Sequence, residues 1–157
     1  MKEKIYNILF ALFWGIAGFS IAFLIIEGLF YSNEIIIDFL FRYSLYSQAL
    51  IGILFAYLLT YFGNSLVEEG IRFFIIKKLR IINPYSFLLG LSWGLTENLY
   101  RYSEDIGRIP LLHIFNAGII CYFVKKNKPT LGFIIAFIIH TGWNIFVWWE
   151  DFSNFFF

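Results

Sequence analysis

The sequence predicts an all-α protein, a polytopic membrane helix bundle of five or six transmembrane helices. Three observations carry that prediction. The chain is 60% hydrophobic and 15% charged, with a mean hydropathy of +0.73, whereas soluble domains hold roughly 45–50% apolar and ~25% charged residues. The apolar residues fall in runs that reach the ~20 residues a helix needs to cross a hydrocarbon core ~30 Å thick. Basic clusters and prolines separate these runs, notably Lys77-Lys78-Leu79-Arg80, Asn83-Pro84 and Lys125-Lys126-Asn127-Lys128-Pro129.

The first run, Ile5–Tyr31, is interrupted by Glu27 near its end. It follows Lys2 and Lys4 and far exceeds a signal-peptide core, so it is read as a retained signal-anchor helix. Ser32–Tyr46 mixes Ile35, Ile36, Ile37, Phe39, Leu40 and Phe41 with Glu34, Asp38 and Arg42, which predicts a short helix lying in the interface. Ala49–Leu79 comes next and ends before Asn83-Pro84, since proline disfavours helical geometry in the residue before it. Tyr85–Tyr100, Ile109–Val124 and Thr130–Trp149 follow. Pro110 and Pro129 stand near the starts of the last two, where a missing N–H costs least.

Charge placement selects among the counts. If Ala49–Leu79 is one long helix, the N-terminal lysines and both basic clusters share the cytoplasmic side, with Glu150 and Asp151 outside, as the positive-inside rule requires. Splitting it at Gly63-Asn64 puts one of these groups on the wrong side. Five spans with the N-terminus inside are therefore expected, although that helix would be roughly 46 Å long and must tilt, kink or protrude. The organisation expected is a single transmembrane domain over 1–157, with an N-terminal anchor and interfacial helix in 1–46 and a four-helix core of catalytic type in 47–149.

A net charge of +1 offers no basic patch for nucleic acid. Cys121 is the only cysteine, which excludes an intrachain disulfide and a cysteine-cluster metal site. Chemistry must come from the polar residues inside the apolar runs: Glu68, Glu69, Arg72, Glu97, His113 and His140, with Asn98, Asn116 and Asn144. An Asp, Lys or Arg at a helix centre costs roughly 2.5–3.5 kcal/mol on insertion scales, so such groups turn to the protein interior and are functional candidates.

Glu68 and Arg72 are spaced to pair on one helical face, which leaves Glu69, about 100° round the helix, free to face a cavity; a purely structural ion pair is the other reading. Glu97 follows Trp93 by one turn on a helix whose Gly90 and Gly94 permit close approach of a neighbour, and it stands either in a site or at the emerging end of its helix. His113 shares a face with Asn116, and His140 with Asn144. Two histidines and two or three carboxylates on separate helices form a ligand set suited to zinc. Bound zinc makes water more acidic, a spare glutamate can take its proton, and Asn144 could donate to an oxyanion. The H-E-x-x-H and G-x-S-x-G signatures and a presenilin-type aspartate pair are absent.

Val67-Glu68-Glu69-Gly70-Ile71-Arg72, Gly94-Leu95-Thr96-Glu97-Asn98-Leu99-Tyr100, Leu112-His113-Ile114-Phe115-Asn116-Ala117-Gly118 and His140-Thr141-Gly142-Trp143-Asn144 resemble, in this order, the motifs of PrsW-type intramembrane proteases. These are distant relatives of the CAAX-processing and bacteriocin-processing membrane metalloproteases and of the Aph scaffold subunit of γ-secretase. The resemblance spans roughly residues 60–149. It implies an active-site set of Glu68, Glu69, Glu97, His113 and His140 supported by Asn144. On that basis Glu97, His113 and His140 are expected to hold a divalent metal, zinc first, while Glu68, Glu69 and Asn144 act in catalysis and Arg72 makes an ion pair. Which of Glu68 and Glu69 is the catalytic one stays open.

PrsW proteins usually carry lysine where this chain has Arg72, which preserves the charge. The CAAX-processing branch has histidine on the second motif helix, and Glu97 here favours the PrsW branch over prenyl-protein processing. The implied function is an intramembrane metal-dependent peptidase in a prokaryotic plasma membrane, its partners the lipid bilayer and a membrane-embedded or membrane-associated protein substrate. The competing expectation is a non-catalytic, Aph-like scaffold that holds a partner helix in the same polar cavity. A small transporter is a weaker third, since no inverted repeat is visible.

Overall fold

The computed structural model describes residues 2–42, 46–101 and 108–156, with side chains described at 3–28, 31, 61–100 and 109–147. Among them are five α-helices and no strand: α1 (Lys2–Arg42), α2 (Tyr46–Leu79), α3 (Tyr85–Arg101), α4 (Arg108–Lys125) and α5 (Pro129–Phe156). The run from Ala49 to Leu79 is a single helix that passes through Gly63-Asn64-Ser65 unbroken. One internal glycine costs a helix only about 1 kcal/mol, and the Ser65 hydroxyl turns back to the Tyr61 carbonyl at 3.0 Å.

The expected division of the N-terminal region is different. No separate helix begins at Ser32; α1 continues to Arg42. Ser32-Asn33 contains neither glycine nor proline, and polar residues alone do not end a helix whose backbone hydrogen bonds remain intact. The side chains of the amphipathic 32–46 segment lie outside the described residues, as do those of Glu150 and Asp151.

Two tight turns close one end of the bundle. Arg80 (φ 51°) and Asn127 (φ 55°) adopt the left-handed conformation. Beyond them, the Ile81 N–H reaches the Ile76 carbonyl at 3.2 Å and the Lys128 N–H reaches the Phe123 carbonyl at 2.9 Å. Both are Schellman caps, which satisfy carbonyls that a helix end leaves open. The start of α1 lies at the same end, where Tyr6 and Phe10 face Ile81 and Tyr85 across a shared cavity. Lys4, Lys77, Lys78, Arg80, Lys125, Lys126 and Lys128 are thus gathered at one end of the molecule.

The helices pack through small residues. A Cβ on Gly94 would lie 2.5 Å from Pro110 Cα and 3.1 Å from His113 Cδ2, and one on Gly90 would collide with the His113 carbonyl, so α3 and α4 meet nearly backbone to backbone. On the other face of α3, Gly15 and Gly18 of α1 press against Ser92 and Trp93. Gly94→Leu should therefore force α3 off α4. A loss of about 1–3 kcal/mol is expected from overpacking of this kind, measured as a fall in the thermal midpoint of the purified protein.

Polarity is inverted relative to a soluble domain. The interior holds Glu68, Glu69, Arg72, Glu97, His113, Asn116 and His140, all buried, beside small residues such as Ala11, Ala22, Ala117 and Ala136. The outside carries Leu9, Phe13, Leu24, Phe74, Leu111, Ile138 and Phe146, each more than half exposed. Among the described residues, Glu3–Gly28 and Pro129–Val147 are long and apolar enough to cross a membrane, and only 28% and 17% of those spans is buried in the protein. Ile109–Lys125 is a shorter apolar helix.

Candidate functional site

Each of α2, α3, α4 and α5 delivers polar side chains to one point. Glu69 lies ten residues from the end of α2 at Leu79, Glu97 twelve from the start of α3 at Tyr85, His113 twelve from Lys125, and His140 eleven from Pro129. At 1.5 Å per residue all four sit roughly 15–18 Å from the lysine-rich end. Counting from the polar residues beyond Glu97 puts that residue near an outer edge, whereas the bundle sets it level with the others.

Glu69 is the hub. Its Oε1 accepts from Arg72 Nη1, from Asn116 Nδ2 at 2.9 Å and from His140 Nδ1 at 2.7 Å. Its Oε2 is buried with no hydrogen-bond partner. Because the carboxylate accepts, the network assigns the proton of His140 to Nδ1 and leaves a lone pair on Nε2.

His113 is held from both sides. Arg72 Nη2 lies 2.6 Å from its Nδ1, and arginine can only donate, so Nδ1 accepts and Nε2 carries the hydrogen. That hydrogen goes to Glu97 Oε2 at 2.5 Å. The missing side chain at Gly94 lets α3 approach closely enough for Glu97 to reach this nitrogen. A carboxylate on the outer nitrogen of a histidine fixes its tautomer and ring orientation, as behind many metal-bound imidazoles.

Glu68 takes a hydrogen bond from Trp93 Nε1 at 3.2 Å and lies 4.0 Å from Arg72 Nη2. The Trp93 ring lies 4.4 Å beneath the Arg72 guanidinium. The imidazoles of His113 and His140 meet edge to face, with centroids 5.3 Å apart.

One ligand atom from each of Glu68, His113 and His140 lies within 4.8 Å of the other two. The compact ligand set thus contains Glu68, and Glu97 joins the cluster through His113. Glu68, Glu69, Arg72, Glu97, His113 and His140 are all brought together. Asn144 sits one turn beyond His140, and its Nδ2 donates to Ser65 Oγ at 3.0 Å, which fastens α5 to α2 beside the cluster. Sequence reasoning passed over Trp93 and Ser65 as site residues. A tryptophan in an apolar helix reads as packing, and its placement one turn before Glu97 was the available signal.

The cluster fits a divalent cation in three respects. Its donors are two imidazoles and a carboxylate, a set suited to zinc. One buried carboxylate oxygen, Glu69 Oε2, has no partner. Three buried carboxylates face one guanidinium, the only buried cationic side chain among the described residues, which leaves two negative charges in excess when both imidazoles are neutral. Arg72 meanwhile covers the His113 Nδ1 lone pair. No family model, curated protein or solved structure matches the chain.

Proposed function

We propose that this chain is a multi-pass membrane protein, N-terminus on the cytoplasmic side, that hydrolyses peptide bonds at a buried, metal-dependent site. The inverted polarity supports the membrane setting, because a contiguous apolar exterior of this extent is a liability in water. The gathering of seven basic side chains at one end supports the orientation. The observation that carries the function is the convergence of buried ligand atoms from Glu68, His113 and His140 within 4.8 Å of one another, beside the unpartnered Glu69 Oε2. The motif resemblance to PrsW-type proteases supports the reaction class.

Glu68 and His140 Nε2 would hold the ion, joined by His113 once the Arg72 guanidinium leaves its Nδ1, and the ion would supply a Lewis acid that makes water a stronger acid and polarises a carbonyl. Glu97 fixes the His113 ring through Nε2. Glu69 is anchored through Oε1 and presents Oε2 to take a proton from the attacking water. Water adds across the amide bond: its oxygen joins the carbonyl carbon, the C–N bond breaks, and the proton carried by Glu69 passes to the leaving amine.

A non-catalytic scaffold is favoured by one observation of its own. Arg72 bridges Glu69 and His113 and so holds α2 to α4 without any ion. Metal content separates the readings. Purified protein dialysed against trace zinc should retain about one ion per chain, and His140→Ala should retain none. Cleavage is read with a pool of transmembrane peptides in ¹⁸O-water, where each new carboxyl should gain one label. A wild-type protein that holds no metal and cleaves nothing in this pool favours the scaffold.

A further inference from the structure

At the lysine-rich end, a cavity of about 340 Å³ opens between the start of α1 and the α2–α3 turn, lined by Tyr6, Asn7, Leu79, Arg80 and Tyr85 among others. Leu79 also lines a second hollow, of about 330 Å³, between α1 and α2. That one is almost wholly apolar, walled by Trp14, Ile21, Gly70 and Phe74. Gly70 leaves it open, since a Cβ there would meet nothing within 4 Å. A cavity of mixed polarity, with Asn7 and Arg80 in its wall beside a cluster of positive charge, therefore adjoins an apolar groove that shares Leu79 with it.

Arg80 supplies a second argument. It caps α2 in the left-handed conformation, where a residue with a Cβ costs roughly 1–2 kcal/mol and glycine costs almost nothing. Such strain persists where the side chain has a use. Arg80 is exposed at the cavity wall, with Lys77 and Lys78 exposed beside it.

We infer that these two hollows form one binding site for an anionic phospholipid, with the phosphate at Arg80 and an acyl chain along the α1–α2 groove past Gly70. Its headgroup end at Arg80 lies eleven residues along the chain from Glu69. The inference rests on the membrane reading and is independent of the peptidase one. Charge selects the headgroup, because basic side chains near a membrane surface attract anionic lipid.

The test uses the full chain in neutral detergent, titrated with phosphatidylglycerol or with phosphatidylcholine of the same acyl chains, and read by native mass spectrometry. Phosphatidylglycerol should bind about five-fold more tightly. Arg80→Gly, which relieves the left-handed strain and should melt no lower than wild type, should reduce that preference to near unity. Gly70→Leu should weaken both lipids alike. Equal binding of the two lipids by wild type, or a preference that survives Arg80→Gly, overturns the inference. So does glycerol 3-phosphate binding as tightly as the intact lipid, which would mark a site for a free phosphate. Recovery of the chain in the aqueous fraction after alkaline extraction of membranes overturns the membrane reading and the lipid site together, whereas loss of lipid preference in an embedded protein overturns the lipid site alone.

Discussion

Arg72→Met is expected to be the most destabilising single change in the bundle when metal is withheld. Arg72 contacts Glu69 and His113, approaches Glu68 and lies over Trp93. Its removal leaves Glu68, Glu69 and Glu97 buried together with no opposing guanidinium. Removing one partner of a buried ion pair costs about 3–5 kcal/mol, mostly because the surviving charge is stranded. Methionine fills the volume, so the loss reports charge rather than a cavity. The thermal midpoint of the variant should fall in the presence of a chelator and recover on addition of zinc, which restores the missing positive charge and stabilises in proportion to its occupancy. The same variant frees His113 Nδ1, so its zinc affinity should rise above that of wild type. A midpoint that falls and does not respond to zinc identifies Arg72 as the only cation the cluster was built for.

Glu69→Gln is expected to abolish hydrolysis while the metal stays bound. The amide is nearly isosteric, and its oxygen can still accept from Asn116, Arg72 and His140. It cannot take a proton from water. Loss of a positioned general base lowers turnover by typically ~10²–10⁴, and the effect should fall on kcat. Zinc content should stay near wild type, because Glu69 lies outside the Glu68, His113 and His140 set. Loss of metal together with activity would instead assign Glu69 to the ligands. Unchanged turnover would remove it from the chemistry.

The helix order was legible because its punctuation is chemical: Asn83-Pro84 and the lysine-rich turn before Pro129 interrupt apolar runs at sites where the structure turns. The length of α1 was not. Ser32-Asn33 looks like a boundary by composition, yet nothing there breaks the backbone hydrogen bonds, and the helix continues to Arg42. The cluster was legible as a list of ionisable residues inside apolar runs. Its internal geometry was hidden, because helical spacing relates neighbours on one helix only. Trp93 to Glu68 and Asn144 to Ser65 are contacts between helices, 25 and 79 residues apart along the chain. Glu97 and Glu68 reach the cluster from different helices, Glu97 through His113 Nε2 and Glu68 with a ligand atom within 4.8 Å of one on His113 and one on His140, and spacing along a single helix reveals neither contact.

The close approach of α1 to α3 at Gly15 and Gly18 changes what the first helix is. Gly18 rests on the indole of Trp93, whose N–H holds Glu68 and whose face supports Arg72. Only one ring thickness separates α1 from the charged cluster. A helix that by composition is a membrane anchor is therefore the back wall of the charged cluster. The residues that shape the cluster thus extend to a segment with no ionisable group near it, and larger side chains at Gly15 or Gly18 would be transmitted to Glu68 through a rigid plane of indole.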